Sequence, residues 1–346
     1  MADGNVSIYQ PRMMLKALQQ VAIPKRFFHN TFFNTTLLHN TKTVELDVRK
    51  GKHRVAVYVN PILKGKVVER DPFETKETRP AYVKEMTALR SQDTTERVMG
   101  ENIYDALDPA RRAAQILGED LAMLDERLTR LEEKMCAEAL LTGKVIVKGD
   151  GWNDQVDFGY EMDKHIRILS GTAKWDNENA DPMKDLDEWR LDIMKRCGIS
   201  PDVCVIGNEV YWAILNNAKV KERLDNNRIR LGLITAESQP EGISYCGDLL
   251  LPTGPVSLYT YNEWSTNPIT GEDEPLMPDN KVLLGSTRAR ATFNYGLIQN
   301  LKALRPLPRF PWSWEEDDGS ARFVQLESAP MPNLYQVDAF TVATVL

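Results

Sequence analysis

The stretch Asp108 to Lys144, DPARRAAQILGEDLAMLDERLTRLEEKMCAEALLTGK, decides the architecture. Asp108 and Pro109 read as a helix start, because an aspartate can accept from the first free N–H groups and proline at the first helical position gives up a donor that has no partner anyway. Leu117, Leu121, Leu124, Leu128, Leu131 and Met135 recur at spacings of 4, 3, 4, 3 and 4, which places them on one stripe. Gly143 ends the helix. At 1.5 Å per residue the helix predicted over 109–142 is about 50 Å long, more than most small domains are wide. A dimeric coiled coil is one reading of such a stripe. The repeat lasts under three heptads, however, and runs directly into the strand-like Val145-Ile146-Val147, which favours a spine packed on a sheet.

Upstream, the period changes to two. Val44, Leu46 and Val48 alternate with polar residues, Lys50-Gly51 supplies a turn, and Val55, Val57 and Val59 alternate again, so a hairpin is predicted. A ribbon this polar, with one thin apolar face, is marginal alone and must lie on a surface of the same chain or of a neighbour. Residues 1–41 read as an arm with a short amphipathic helix around Arg12 to Val21, then Pro24 and the aromatic cluster Phe27, Phe28, Phe32 and Phe33. Downstream, Asp181-Pro182 repeats the capping device. A helix with Leu186, Trp189, Ile193 and Cys197 inward then closes at Gly198. A buried strand at Val203 to Ile206 and a second helix from Asn208, with Val210, Ile214 and Val220 in the core, follow. Later strands are expected at Val256 to Tyr261, Val282 to Leu284, Ala289 to Tyr295, Phe323 to Glu327 and Val337 to Leu346. The Pro-rich Arg305 to Trp314 reads as a crossing between two domains.

With 346 residues, 42% hydrophobic and 27% charged, the chain has the composition of a soluble globular protein of about two domains, which excludes wholesale disorder. Its longest apolar runs fall far short of the roughly 20 residues of a membrane span. The N-terminus builds no apolar h-region and does not read as a signal peptide, so cytoplasmic synthesis is expected. Cys136, Cys197, Cys204 and Cys246 have no paired spacing and are expected as free thiols. The net charge of −7 hides an asymmetry. Residues 1–60 carry nine basic and three acidic side chains, whereas 171–280 carry 10 basic and 19 acidic ones. A basic arm could meet an acidic body of another copy, nucleic acid or an acidic partner; it could equally be a solvated tail.

No catalytic, cofactor-binding or metal site can be assembled from the motifs. Leu141-Thr142-Gly143-Lys144 lacks the leading glycine and the hydroxyl of a phosphate loop and reads as a helix end. Gly242-Ile243-Ser244-Tyr245-Cys246 lacks the second glycine of a nucleophile elbow. His29, His39, His53 and His165 fall in unrelated segments with no metal-ligand spacing. Asp150-Gly151-Trp152-Asn153-Asp154 has Trp152 where a calcium loop needs an oxygen, and reads as a surface turn. Pro308-Arg309-Phe310-Pro311 fits PxxP but is explained by a stiff crossing. Asp185, Asp187, Glu188 and Asp192 read as the solvated face of their helix.

The order of arm, extended hairpin, long helix and α/β domain, together with a series of short motifs, resembles the major capsid protein E family of lambda-like tailed bacteriophages. The motifs are Thr41 to Pro61 (TKTVELDVRKGKHRVAVYVNP), Lys64-Gly65-Lys66-Val67, Arg79-Pro80-Ala81-Tyr82-Val83-Lys84, EKMCAEALLTGK at 133–144 and Val156-Asp157-Phe158-Gly159. They continue with Trp175 and Asp181-Pro182, Asp185-Leu186, Gly198-Ile199-Ser200-Pro201, Pro278-Asp279-Asn280-Lys281-Val282, Tyr295-Gly296, Pro311-Trp312-Ser313-Trp314 and the closing SAPMPNLYQVDAF. Each is turn and packing chemistry; their order over about 300 residues is the specific feature. The chain departs from the family pattern at Val57, near which a proline is usual, and at Gly319, where a proline usually follows the acidic pair.

The resemblance implies an α+β Hong Kong 97-type phage capsid fold. In it, 1–41 is an N-terminal arm, 42–84 an extended hairpin loop across an adjacent subunit, and 85–170 a peripheral domain with spine helix 109–142. Residues 171–304 form an α/β axial domain, and 305–346 return to the peripheral domain. It implies a non-enzymatic virion shell subunit assembling as hexamers and pentamers in the host cytoplasm around double-stranded DNA. That DNA is contacted nonspecifically, scaffolding, decoration and portal proteins are further candidate partners, and no membrane is involved. Lys64 and Lys66 lie where some capsids of this fold crosslink, but no partner Asn or catalytic Glu is marked, so none is expected. An α/β enzyme with an unrecognised site and a coiled-coil scaffold or adaptor are the alternatives from other classes.

Overall fold

The structure is a computed structural model and describes residues 8–20, 26–49, 73–96, 108–149, 152–225, 242–267, 270–303 and 305–346. The N-terminal part carries helices α1 (Pro11–Leu18) and α2 (Phe27–Phe32), then strand β1 (Thr35–Leu38). Strands β2 (Val44–Arg49), β3 (Phe73–Thr78) and β4 (Val83–Arg90) follow, with the short helix α3 (Ser91–Thr95). The spine helix α4 (Pro109–Thr142) leads into the hairpin β5 (Lys144–Gly149) and β6 (Trp152–Asp157), then β7 (Ile166–Ile168). Next come α5 (Pro182–Cys197), β8 (Val203–Ile206), α6 (Asn208–Asn216), α7 (Ala218–Asp225), β9 (Ile243–Leu251) and β10 (Gly254–Tyr261). The small pair β11 (Trp264–Thr266) and β12 (Asp273–Pro275) precedes β13 (Lys281–Gly285) and β14 (Ala291–Tyr295). The chain closes with β15 (Phe310–Glu315), β16 (Ala321–Ser328), β17 (Pro330–Leu334) and β18 (Thr341–Thr344).

The α4 stripe is covered by the helix's own chain, which disposes of the coiled-coil reading. Leu117, Leu121, Leu124 and Leu128 pack with Met14 and Leu18 of α1 and with Val324 and Leu326 of β16. Two turns further on, Met135, Cys136, Ala139 and Leu140 join a second core with the arm phenylalanines and Phe293, Leu334 and Phe340. Leu131 alone of the six stripe residues is only partly buried. At the helix start Pro109 takes the first position as expected. Asp108 differs: its side chain caps nothing, and its carbonyl accepts from Arg111 and Arg112 instead. Gly143 ends α4 at φ 68°, and a Cβ there would lie 2.2 Å from the Tyr160 ring. Gly143→Ala is therefore expected to lower the free energy of unfolding in urea by at least the roughly 1–3 kcal/mol of a strained backbone. A change below about 0.5 kcal/mol, the size of an ordinary surface substitution, would contradict that.

A six-stranded sheet, order β7-β18-β13-β8-β10-β9, forms the second half of the molecule. Its central strand β8 is buried at every residue, as a strand covered on both faces must be. Leu186, Trp189 and Ile193 of α5 and Val210 and Ile214 of α6 pack with Cys204, Ile206, Leu258 and Leu284, and Val220 completes this core. Here the Asp181 carboxylate does cap, accepting from the Lys184 N–H at 3.2 Å, and Gly198 closes α5 at φ 70°.

Several expectations change. β2 pairs with β3, Val44 opposite Thr78 and Arg49 opposite Phe73, so the described partner of β2 is 73–78. The Lys50-Gly51 turn and Val55 to Val59 lie outside the described residues. Phe310 to Trp314 is no crossing segment but strand β15, paired with β16, which pairs with β4. The last stretch, 305–346, divides: β15 and β16 join β4, β17 joins β14, and β18 lies between β7 and β13 in the six-stranded sheet. In that sheet Val342 and Ala343 pair with Leu283 and Val282, and Val342 also joins the core formed by the end of α4. Val337 to Ala339 is a 3₁₀ turn, not strand.

Candidate assembly interface

The ribbon is the feature that most resembles an interface. Among the described residues, β2 and β3 pair only with each other. Strand alternation puts Val44, Leu46 and Val48 at positions sharing one side of the ribbon, opposite Thr78, Lys76 and Glu74. A two-stranded ribbon with so narrow an apolar row gains little by itself.

Its root, by contrast, is fixed. Val44 is 1% exposed, and the Thr78 hydroxyl donates to its carbonyl at 3.1 Å. The Arg79 to Lys84 motif gains a physical meaning here. Pro80 packs so closely on Gly296 that a Cβ at Gly296 would lie 2.7 Å from the proline ring. Ala81 is buried, and the Tyr82 hydroxyl donates to Glu327 and accepts from the Gln299 N–H at 3.0 Å. Burial, then the Glu327 hydrogen bond and charge, push the Tyr82 phenol well up, so it remains a donor. Asn300 Nδ2 donates to the other Glu327 oxygen at 2.9 Å. Nothing in the sequence alone marked Tyr82, Glu327 or Gly296 as a hinge-like anchor.

Behind the root lies a buried ionic clamp that the sequence reading missed. Arg309, taken as part of a stiff linker, sends Nη1 and Nη2 to the two oxygens of Glu132 at 2.5 and 3.0 Å, and Nε to Asp125 at 2.7 Å. Arg26 reaches Glu132 at 2.7 Å and the Tyr295 hydroxyl donates to it at 2.9 Å. Glu132 has no exposed side-chain surface. Burial alone would raise its carboxyl, but the Arg309 charge and hydrogen bonds, Arg26 and Tyr295 hold it below the ordinary range. Burial alone would likewise lower the Arg309 guanidinium, and Glu132 more than reverses this. Both results describe one ionised pair. The clamp joins three distant segments: the arm through Arg26, the spine through Asp125 and Glu132, and the start of β15 through Arg309.

The aromatic cluster of the arm is likewise not an exposed tail. Phe28, Phe32 and Phe33 are fully buried; Phe28 meets Tyr261 edge-on at 5.1 Å and Phe32 meets Phe340 at 5.5 Å. The two N–H groups of the first turn of α2 are capped from another element, as Phe28 and His29 donate to Glu133 of α4 at 2.6 and 3.1 Å. This explains why no local capping residue precedes α2.

Among the described residues no helix or strand covers the face of the β4–β16–β15 sheet turned away from α4. Met86, Gln325 and Trp312 occupy one row of paired positions, and Ala88, Phe323 and Trp314 the next. Met86 is 61% exposed, Trp314 stacks on Phe323 at 5.3 Å, and Lys302 lies over Trp312 at 3.8 Å. Trp212, Trp264, Met162 and Ile168 are further exposed apolar side chains. The aromatic row on the sheet face is gathered, and it is the surface here best suited to meet another molecule; the other four are scattered singly.

The other residues singled out in the sequence do not converge. Leu141 to Lys144 is the end of α4 and the start of β5, and Ser244 lies within β9. His165 accepts from the Glu161 N–H and contacts Asp338 at 3.0 Å, while His29 lies tilted against Phe293 at 4.7 Å; His53 lies outside the described residues. Gly149 and Trp152 face each other across the β5–β6 hairpin. The acidic face of α5 is more than solvated surface: Asp185 accepts from Trp175 Nε1 at 2.9 Å, Asp187 from the Thr253 N–H and hydroxyl, and Asp192 pairs with Arg167. All four cysteines are free. Among the described residues no cluster of His, Cys, Asp and Glu has metal-binding geometry, and no helix is long and apolar enough to cross a membrane.

The mixed helix and sheet body is the fold seen in phage capsid proteins. A putative capsid protein of a prophage of Escherichia coli CFT073 superposes with a TM-score of 0.75 at 19% identity, over 97% of this chain and 99% of that one. The chain belongs to the phage major capsid protein E family, whose sequence profile matches residues 10–345. It is 29% identical over 347 residues to the major capsid protein of Escherichia phage lambda, covering 97% of this chain and 98% of that protein. The major capsid protein of Enterobacteria phage P21 is also 29% identical, over 356 residues, 98% of this chain and 100% of the relative.

Proposed function

We propose that this chain is the structural subunit of an icosahedral phage shell, assembling through hexamers and pentamers around double-stranded DNA without catalysing a reaction. The observation that carries this reading, beside family membership, is the β2–β3 ribbon. It is firmly anchored at its root yet pairs with no other described strand. Laid across an adjacent subunit, such a ribbon buries its apolar row in a heterologous contact, and heterologous contacts that close into rings build a shell. Many moderate contacts per subunit then add, because each one raises the effective concentration for the next. In this reading the α4 side of the molecule is the peripheral domain, and the six-stranded sheet with α5, α6 and α7 is the axial domain around ring centres. The particle is the virion capsid, assembled in the host cytoplasm. Scaffolding, decoration and portal proteins are its further partners, and the DNA is met without base-specific contacts. The net charge of −7 suits a wall that must not clamp its cargo.

Expression of the full chain followed by size exclusion and negative-stain microscopy tests the reading. Rings, sheets or closed particles are expected. A monodisperse monomer at every concentration would contradict it.

A further inference from the structure

Glu133 takes part in a second arrangement that shell assembly does not require. The Tyr261 hydroxyl lies 3.2 Å from Glu133 Oε1 and 2.5 Å from Glu263 Oε2. A phenol has one proton to donate, so it can satisfy one carboxylate only. The other contact is a hydrogen bond if that carboxyl group keeps its own proton and donates to the phenolic oxygen. Glu133 is the group placed to keep it, being 2% exposed, whereas Glu263 is only partly buried. One assignment satisfies every atom. Glu133 Oε1 donates to Tyr261, Tyr261 donates to Glu263, and the Phe28 and His29 N–H groups donate to the two Glu133 oxygens at 2.6 and 3.1 Å.

Among the described residues no cation is bonded to Glu133. Just before α2, Arg26 is bonded to Glu132, and burial followed by the Arg26 charge holds the His29 imidazole below its usual value. On α4, Glu132 is committed to Arg309 and Arg26, Lys134 reaches Glu274 at 3.3 Å, and burial raises the Cys136 thiol. On β14, Tyr295 donates to Glu132. Tyr261 and Glu263 complete the surroundings from the β10 side, where burial first and the two carboxylates next push the phenol far up.

We propose that Glu133, Tyr261 and Glu263 store a proton that latches the arm helix α2 onto the spine, so that loss of this proton loosens the arm. Two N–H groups of the arm end on the carboxyl group that gains or loses the charge, so docking and protonation are coupled. Burial pushes the Glu133 carboxyl up to about 7, against the pull of the Phe28, His29 and Tyr261 hydrogen bonds. With the arm released, Glu133 is hydrated and titrates near the ordinary 4.5. The docked state therefore binds one proton more than the released state between these values. Docking is strongest below the lower value, weakens about tenfold per pH unit through the window, and is constant above about 7.

Amide hydrogen exchange on the full-length subunit from pH 5 to 8.5, divided by the intrinsic rate at each pH, reads the opening of Phe28 and His29. The opening constant is expected to rise about tenfold per pH unit and level off near 7. In Glu133→Gln, whose amide donates to Tyr261 as the proton does, the opening should be independent of pH. In Glu263→Gln the plateau should be reached at lower pH. A flat wild-type profile, or a slope that survives in Glu133→Gln, overturns the proposal. Should Glu133→Gln fail to fold, an unshifted plateau in Glu263→Gln overturns it alone.

Discussion

Arg309→Met should destabilise the subunit by about 3 to 5 kcal/mol, measured as the free energy of urea unfolding of the unassembled chain. Methionine keeps the apolar length of the arginine but removes the guanidinium that meets Glu132 through two nitrogens and Asp125 through a third. Glu132, with no exposed side-chain surface, is then left with Arg26, the Tyr295 hydroxyl and an unbalanced charge. An uncompensated buried charge costs far more than the intact pair contributes, because the pair's attraction is largely offset by desolvation. The double variant Arg309→Met with Glu132→Gln should consequently recover part of the loss, and a second loss simply added to the first would show that the two residues do not act as one pair.

The same clamp sets the acid limit of the fold. Glu132 is held below the ordinary carboxylate range, so its contribution is present above the unfolded value near 4.5 and is lost as pH falls through the depressed one. Its neighbour Glu133 works in the opposite sense, with stability lost as pH rises towards about 7. Two adjacent glutamates on one helix thus bracket a pH range: one is matched by arginines, the other only by N–H and O–H donors.

Removing the ribbon should abolish assembly while leaving the body folded. Val44 and Thr78 face each other directly, so residues 45–77 can be replaced by a two-residue Asn-Gly turn that joins strands at this spacing. Because β2 and β3 pair with no other described strand, circular dichroism and the unfolding midpoint of the shortened subunit should match those of the full chain. Particles should be lost entirely, since each ribbon contact is repeated at every subunit of a closed shell and its absence multiplies. Normal particles from the shortened chain would show that the ribbon is ornamental to assembly.

What the sequence disclosed and what it hid follow from the range of the interactions. The spine helix was readable because its signals are local: a 3-4 leucine rhythm, an Asp-Pro start and a glycine stop. The same holds for α5, with Asp181 and Gly198 at its ends. The Leu131 exception and the idle Asp108 side chain show how far such signals reach, namely to the element and not to each contact. Strand pairing was harder, because β2 pairs with Phe73 to Thr78, some thirty residues on, and that segment, FETKET, carries no apolar alternation to announce it. Arg309 could not be recognised in Pro308-Arg309-Phe310-Pro311, because nothing local distinguishes an arginine buried against a helix 177 positions away from a solvated one. The arm phenylalanines lacked a period for a related reason. They span a six-residue helix and its exit, and the cap that permits the helix comes from Glu133.

The account stands or falls on where the ribbon goes. A cryo-microscopy map of assembled particles should show the chain between Val44 and Thr78 leaving its own body and lying on an adjacent subunit around every ring of five and six. A map in which that segment folds back on the subunit that bears it, with neighbours joined by other surfaces, would contradict the account.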